Sequence, residues 1–179
     1  MEEQSFIRFQ QFPDEGLLER CVNDVKGQLN DCSETVDGKV CRCVGFFSDE
    51  TEGTNQFSRT NPMTTSLIEM LTLVNKIYNS NFNGILVNRY KDGRDYMSAR
   101  SYNANECDVK GVVSISYGAT RKCRIRSKTD KKNKNDFKLV SKSMLQMGGR
   151  FQEEFTHEIP VEKKVKKERI SFTFQNNLA

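Results

Sequence analysis

From residue 85 onward the chain breaks into short β-rich runs separated by turn residues, and this rhythm constrains the fold more than any other feature. The runs cover 85–90, 96–100, 111–117, 122–126, 137–140, 144–147, 154–159 and 170–174. Lys91-Asp92-Gly93 and Gly148-Gly149 supply turns between them. Residues 127–135, rich in lysine and asparagine, read as a loop. About eight strands in some 95 residues predict a sandwich or a jelly roll.

Two helices are predicted in front of these strands. Pro13-Asp14-Glu15 makes a suitable first turn for a helix over 13–29, in which Leu17, Leu18, Cys21, Val22, Val25 and Leu29 recur at helical spacing. A second helix is predicted over 64–78, with N-cap candidates Thr64, Thr65 and Ser66. Its apolar face carries Leu67, Ile68, Met70, Leu71, Val74, Ile77 and Tyr78. Between the helices, 30–38 reads as a turn-rich loop, 40–47 as a strand and 48–61 as irregular polar chain. No internal repeat is visible.

A chain of 179 residues fits one domain, here taken as 1–179. With 36% hydrophobic and 29% charged residues, the composition is that of an ordinary soluble protein. No apolar run reaches membrane-helix length. The acidic start, Met1-Glu2-Glu3-Gln4, has no apolar stretch behind it, so no secretory signal is expected. The six cysteines then read as reduced thiols in a cytoplasmic or nuclear compartment. Charge is unevenly spread: 7 Lys/Arg against 13 Asp/Glu in 1–84, and 21 against 11 in 85–179. The basic half suits a polyanion such as DNA or RNA, or else is a solvated lysine-rich surface.

Four segments carry a family resemblance. They are Phe82-Asn83-Gly84-Ile85-Leu86-Val87-Asn88-Arg89-Tyr90-Lys91-Asp92-Gly93, Ser114-Ile115-Ser116-Tyr117-Gly118-Ala119-Thr120-Arg121, His157-Glu158-Ile159-Pro160, and Arg169-Ile170-Ser171-Phe172-Thr173-Phe174. In this order and spacing the chain resembles the AlkB-like iron(II)- and 2-oxoglutarate-dependent dioxygenases over roughly 40–175, with 1–39 as a helical N-terminal extension. The resemblance implies an α+β fold: a double-stranded β-helix, or jelly roll, with two N-terminal helices packed on it. It also implies oxidative removal of alkyl groups from nucleobases, as in DNA repair. Such enzymes hold Fe(II) with two histidines and a carboxylate, leaving positions for 2-oxoglutarate and oxygen. By the same resemblance His157 matches a metal ligand. Asn88 and Tyr90 match side chains touching 2-oxoglutarate, and Arg169 matches the fork that grips its tail carboxylate.

The family's His-x-Asp motif is missing. Arg100 stands where the histidine is expected and Tyr102 where the aspartate is expected. A guanidinium has no acceptor for a metal, and a phenol deprotonates only near pH ~10. His157 is the only histidine in the chain, so a two-histidine site cannot be built from it. Three further positions depart from the family pattern: Gln175 replaces a second arginine, Asn55-Gln56-Phe57-Ser58 replaces a Tyr-x-Tyr-Ser segment, and Arg121-Lys122-Cys123 replaces Arg-x-Phe. The expectation is a catalytically impaired homologue, a pseudoenzyme with doubtful iron binding. The alternatives are an active dioxygenase with a rearranged metal site, drawing a carboxylate from Glu106 or Asp108, and a non-catalytic nucleic-acid-binding or interaction scaffold.

Plainer readings stand beside these. Arg169 could pair with Glu168 or Glu154 at the surface. Cys21, Cys32, Cys41 and Cys43 could gather around zinc, but small apolar thiols in the core are the default. The lysines of 128–134 and Lys163, Lys164, Lys166 and Lys167 form a phosphate track only if they flank the pocket with Arg89, Arg121 and Arg150.

Overall fold

The computed structural model describes residues 4–31, 35–36, 39–49, 60–103, 107 and 109–176. Two antiparallel sheets dominate it. The larger contains β1 (Phe6–Gln11), β12 (Ser143–Gly148), β9 (Val112–Gly118), β14 (Arg169–Gln175), β7 (Gly84–Tyr90), β5 (Cys43–Phe47) and β2 (Asn30–Asp31), in that order. A short β6 (Thr60–Asn61) adds to β5 in parallel. The smaller sheet runs β11 (Lys134–Leu139), β10 (Arg121–Ser127), β13 (Phe155–Ile159), β8 (Met97–Arg100). A two-residue pair, β3 (Thr35–Val36) and β4 (Lys39–Val40), stands apart. This is the jelly-roll arrangement the strand rhythm implies.

Each face of the larger sheet has its own core. Its outer face packs against α1 (Glu15–Val25) and α2 (Thr65–Tyr78). Asp14 caps α1, its Oδ1 accepting from the Leu17 amide at 3.0 Å, and Thr64 caps α2 by accepting from the Leu67 amide at 3.2 Å. The buried side chains Leu17, Leu18, Cys21, Val22 and Val25 of α1 and Leu67, Met70 and Val74 of α2 cover Ile85, Val87, Ile170, Phe172 and Phe174. A second cluster, including Met97, Cys123, Ile125, Leu145, Met147 and Ile159, fills the space between the sheets.

The central strand β14 is buried on both faces, and its alternation carries the functional information. Ile170, Phe172 and Phe174 face the helices, so Arg169, Ser171, Thr173 and Gln175 turn the other way, toward the interior of the roll. Two glycines seat the connection between β13 and β14. A Cβ on Gly93 would lie 1.7 Å from the Glu162 carbonyl oxygen, and Gly118 has φ +95° with the Glu168 carbonyl oxygen 2.4 Å from its would-be Cβ.

Several boundaries differ from the sequence expectation. Residues 6–11 form an edge strand that the hydrophobic pattern does not reveal, paired with β12 from Phe6↔Gly148 to Gln11↔Ser143. The N-terminal segment is therefore sheet as well as helix. Helix α1 stops at Val25 rather than 29, β11 begins at Lys134 inside the supposed loop, and a short α3 (Phe151–Glu154) precedes β13. Residues 55–58 lie outside the described residues.

Candidate functional site

Cross-strand register builds one wall of the interior from three strands. Arg169 of β14 lies opposite Tyr90 of β7 and Gly118 of β9, and Ser171 lies opposite Asn88 and Ser116. Asn88, Tyr90, Arg169, Ser171 and Thr173 consequently line one cavity, with His157, Met97 and Tyr102 among the residues across from them. Inset from its walls by a water radius, the cavity still measures about 30 Å³, room for a few waters.

Arg169 is 2% exposed. Its Nη2 donates to Ser116 Oγ at 2.8 Å, and its guanidinium carbon sits 5.3 Å from the Tyr90 ring centroid. Its Nε, also buried, has no hydrogen-bond partner among the described residues. Burial pulls its pKa down, partly opposed by Tyr90 and Cys123. Glu168, a possible partner by sequence, instead binds Arg89 Nε at 2.8 Å. A buried cation with an unmet donor is costly unless an anion completes it.

Two other arginines surround Tyr90. Arg42 is buried, and its Nε donates to Asn88 Oδ1 at 2.8 Å. Sequence reasoning missed it; the only signal is a basic residue inside the otherwise apolar run 40–47. Arg121 lies 5.4 Å from the Tyr90 centroid. It bonds the carbonyls of Asp92, Asp95 and Pro160 and the carboxylate of Glu162, so it ties the β7–β8 and β13–β14 connections together. Its proposed place in a surface phosphate track is thereby corrected. Burial raises the pKa of Tyr90, while Arg169, Arg42, Arg121 and Arg100 lower it.

His157, on β13, is 5% exposed and faces Arg100 of β8 directly across the strand pair. Tyr102 stacks on its ring, with centroids 5.6 Å apart and planes 17° from parallel. The Tyr102 amide donates to Gln152 Oε1 at 2.9 Å, and Arg100 donates to the carbonyl and hydroxyl of Ser98. Burial, reinforced by the Arg100 charge, lowers the His157 pKa to about 4. Burial likewise raises Tyr102 to about 12. Near neutral pH the imidazole is therefore an uncharged base and the phenol keeps its proton. The Nδ1 of His157 has no partner among the described residues.

These groups do not suit Fe(II). Among the described residues no three His, Cys, Asp or Glu side chains come together to hold a metal. The imidazole is covered by an aromatic ring and flanked by a guanidinium, neither of which is an adequate ligand. Glu106 and Asp108 lie outside the described residues. The same cavity does suit a carboxylate, because Arg169 offers an unmet donor beside the Ser116 hydroxyl and Tyr90.

Other sequence candidates are dispersed. Cys21 lies in the helix-facing core, Cys43 Sγ is 3.7 Å from Asp31 Oδ1, and Cys32 is outside the described residues. Lys122 and Lys138 are exposed neighbours across β10 and β11, and the exposed lysines of 128–134 lie at the other end of the same hairpin. Lys163, Lys164, Lys166 and Lys167 are exposed on the β13–β14 connection. Arg89 and Arg150 are held in ion pairs with Glu168 and Glu153.

A jelly roll whose central strand turns an arginine and hydroxyls into its interior is the architecture of 2-oxoglutarate oxygenases. Residues 28–175 match the family described as the 2OG-Fe(II) oxygenase superfamily, so the chain belongs to it, as an AlkB-like member. It is 31% identical over 114 residues to the DNA oxidative demethylase ALKBH2 of Bos taurus, covering 59% of this chain and 41% of that protein. It is 29% identical over 120 residues to the alpha-ketoglutarate-dependent dioxygenase alkB homolog 3 of Bos taurus, again covering 59% of this chain and 41% of the relative. The chain thus matches about two-fifths of the length of these relatives. Among solved structures, OsALKBH1 superposes with a TM-score of 0.66 at 13% identity, covering 95% of this chain and 97% of that one. A Pseudomonas putida prolyl-4-hydroxylase gives 0.63 at 14% identity, covering 95% and 92%. These two similarities concern the fold alone.

Proposed function

We propose that this chain is an AlkB-like homologue that has lost iron-dependent oxidation while keeping a carboxylate pocket and a basic surface for nucleic acid. One observation carries the reading: Arg100 and Tyr102 flank the only histidine of the chain, His157, where a metal would need ligands. Substitution of a ligand by a guanidinium adds charge repulsion to the loss of a donor. In relatives that retain the metal, Fe(II) and 2-oxoglutarate supply oxygen activation. Here Arg169, Tyr90 and Asn88 would hold the cosubstrate, and no residue among those described completes the metal's coordination.

Nucleic acid is the proposed partner because the relatives include a DNA oxidative demethylase and because exposed lysines crowd β10, β11 and the two loops beside them. Contacts from such lysines go to phosphates and carry no sequence preference of their own. One domain, 1–179, in the cytoplasm or nucleus, is part of the same reading.

The test pairs two assays on the full chain. Incubation with Fe(II), 2-oxoglutarate and methylated single- or double-stranded DNA is expected to release no succinate. Binding to unmodified oligonucleotides is expected and should weaken steeply with added salt. Succinate release abolished by His157→Ala would overturn the proposal in favour of a rearranged metal site. Absence of both activities would leave only the scaffold.

A further inference from the structure

An edge strand carries backbone donors and acceptors without partners, and folded proteins protect such edges with charge, proline, bulges or brevity. The two main sheets have four edges, and three of them are protected in this way. β11 exposes Lys134, Asp136 and Lys138. β8 has four residues, and its register with β13 shifts between His157 and Ile159. The far end of the larger sheet holds β2 and β6 beside β5, two residues each. β1 is the exception. It runs for six residues, without proline and in unbroken register with β12 from Phe6↔Gly148 to Gln11↔Ser143. No strand among the described residues pairs with its other side. Its one charged side chain, Arg8, lies over the Phe6 ring, 4.4 Å from the centroid, and Phe9 is 43% exposed.

Hydrogen bonding shows which groups point outward. The Phe12 amide donates to the Lys142 carbonyl at 2.8 Å, which continues the β1–β12 register by one residue. Residues 6, 8, 10 and 12 therefore turn their N–H and C=O toward β12, and Ile7, Phe9 and Gln11 turn theirs outward. Another extended strand meets three such residues in series.

We propose that β1 is a homodimerisation edge, at which two copies of this chain pair antiparallel about a twofold axis and join their larger sheets into one. The inference is independent of the fate of the iron site. An axis perpendicular to the sheet sets one residue of β1 opposite its own copy. With Arg8 on the axis, two guanidinium groups would oppose each other, which is unfavourable. With Phe9 on the axis, Ile7 meets Gln11, Arg8 meets Gln10, and no like charges oppose. This is also the one register in which the three outward-facing residues all pair with one another, making about six backbone hydrogen bonds. It covers the exposed ring of Phe9, whose inner neighbour is Phe137, with centroids 5.9 Å apart. The strand is thus complementary to itself, as an isologous contact requires, and the partner it fits is a second copy.

The experiment is sedimentation velocity on the full chain from about 1 to about 300 μM. A reversible monomer–dimer equilibrium is expected, with a dissociation constant on the order of tens of micromolar, since one strand pair is a small interface. Phe9→Lys places two ammonium groups on the axis and should weaken the dimer at least about tenfold. Gln10→Glu sets a carboxylate opposite each copy's Arg8 and should strengthen it about threefold, a gain that a damaged fold would not produce. Melting temperatures check that both variants are folded. A monomer throughout the range overturns the proposal, and so does a dimer indifferent to both substitutions, which would form through another surface. Weakening by Phe9→Lys without strengthening by Gln10→Glu overturns the register centred on Phe9.

Discussion

Acid should destabilise this protein in a pH range where few other groups titrate, and a single residue should be responsible. His157 is buried, and its pKa lies at about 4 in the folded chain against an ordinary 6.5. The folded state thus favours the neutral imidazole, and the unfolded state binds a proton more readily. Stability is fully present above pH 6.5 and declines as pH falls through 6.5 toward 4. A shift of this size amounts to roughly 3 kcal/mol over the full window, of which about 2 kcal/mol is lost between pH 7 and 5. That is a large part of an ordinary folding free energy of about 5–15 kcal/mol. The carboxylates with lowered pKa values, Asp92 and Asp136, destabilise only at lower pH, as they protonate. Denaturant unfolding of wild type and His157→Gln at pH 7, 6 and 5 isolates the effect, since the variant should lose little over that range. With only one histidine, the imidazole signal in a proton–carbon NMR titration is unambiguous. Equal pH slopes for the two proteins, or an imidazole titrating near 6.5, would refute the burial argument.

Arg169→Met should raise the melting temperature, because it removes a buried cation that has no salt bridge among the described residues, a change worth about 1 kcal/mol or more. Arg121→Met should do the reverse, costing about 3 kcal/mol in denaturant unfolding, since it removes a charged donor from three carbonyls and from the Glu162 carboxylate. Opposite outcomes at these two arginines would be measured side by side by calorimetry. Gly93→Ala should destabilise by about 2 kcal/mol or more, because its Cβ would meet the Glu162 carbonyl at 1.7 Å; an unchanged melting temperature would contradict the close packing of that connection.

The strands were legible wherever burial imposed alternation, and illegible where pairing alone holds them. Arg169–Gln175 announces itself because one face must be apolar against the helices. Phe6–Gln11 does not, because it is an edge strand whose Phe9, Gln10 and Gln11 are exposed and whose order comes from β12. Lys134, Asn135 and Asp136 are strand for the same reason, despite a loop-like composition. At the site, the motif segments bring Asn88, Tyr90, His157 and Arg169 to one cavity, as their spacing and the family resemblance suggest. The arginines were harder to sort. Whether a guanidinium meets solvent, a phosphate or three backbone carbonyls depends on loops distant in sequence, which is why Arg121 was misplaced and Arg42 overlooked.

Manganese titration followed by electron paramagnetic resonance tests the central claim most directly, because free Mn(II) gives a strong signal that quenches on coordination. With wild-type protein in excess and 2-oxoglutarate present, the free-ion signal should remain undiminished. With Arg100→His and Tyr102→Asp combined, it should fall as a site is restored. Quenching by the wild type at one ion per chain, lost in His157→Ala, would contradict the account.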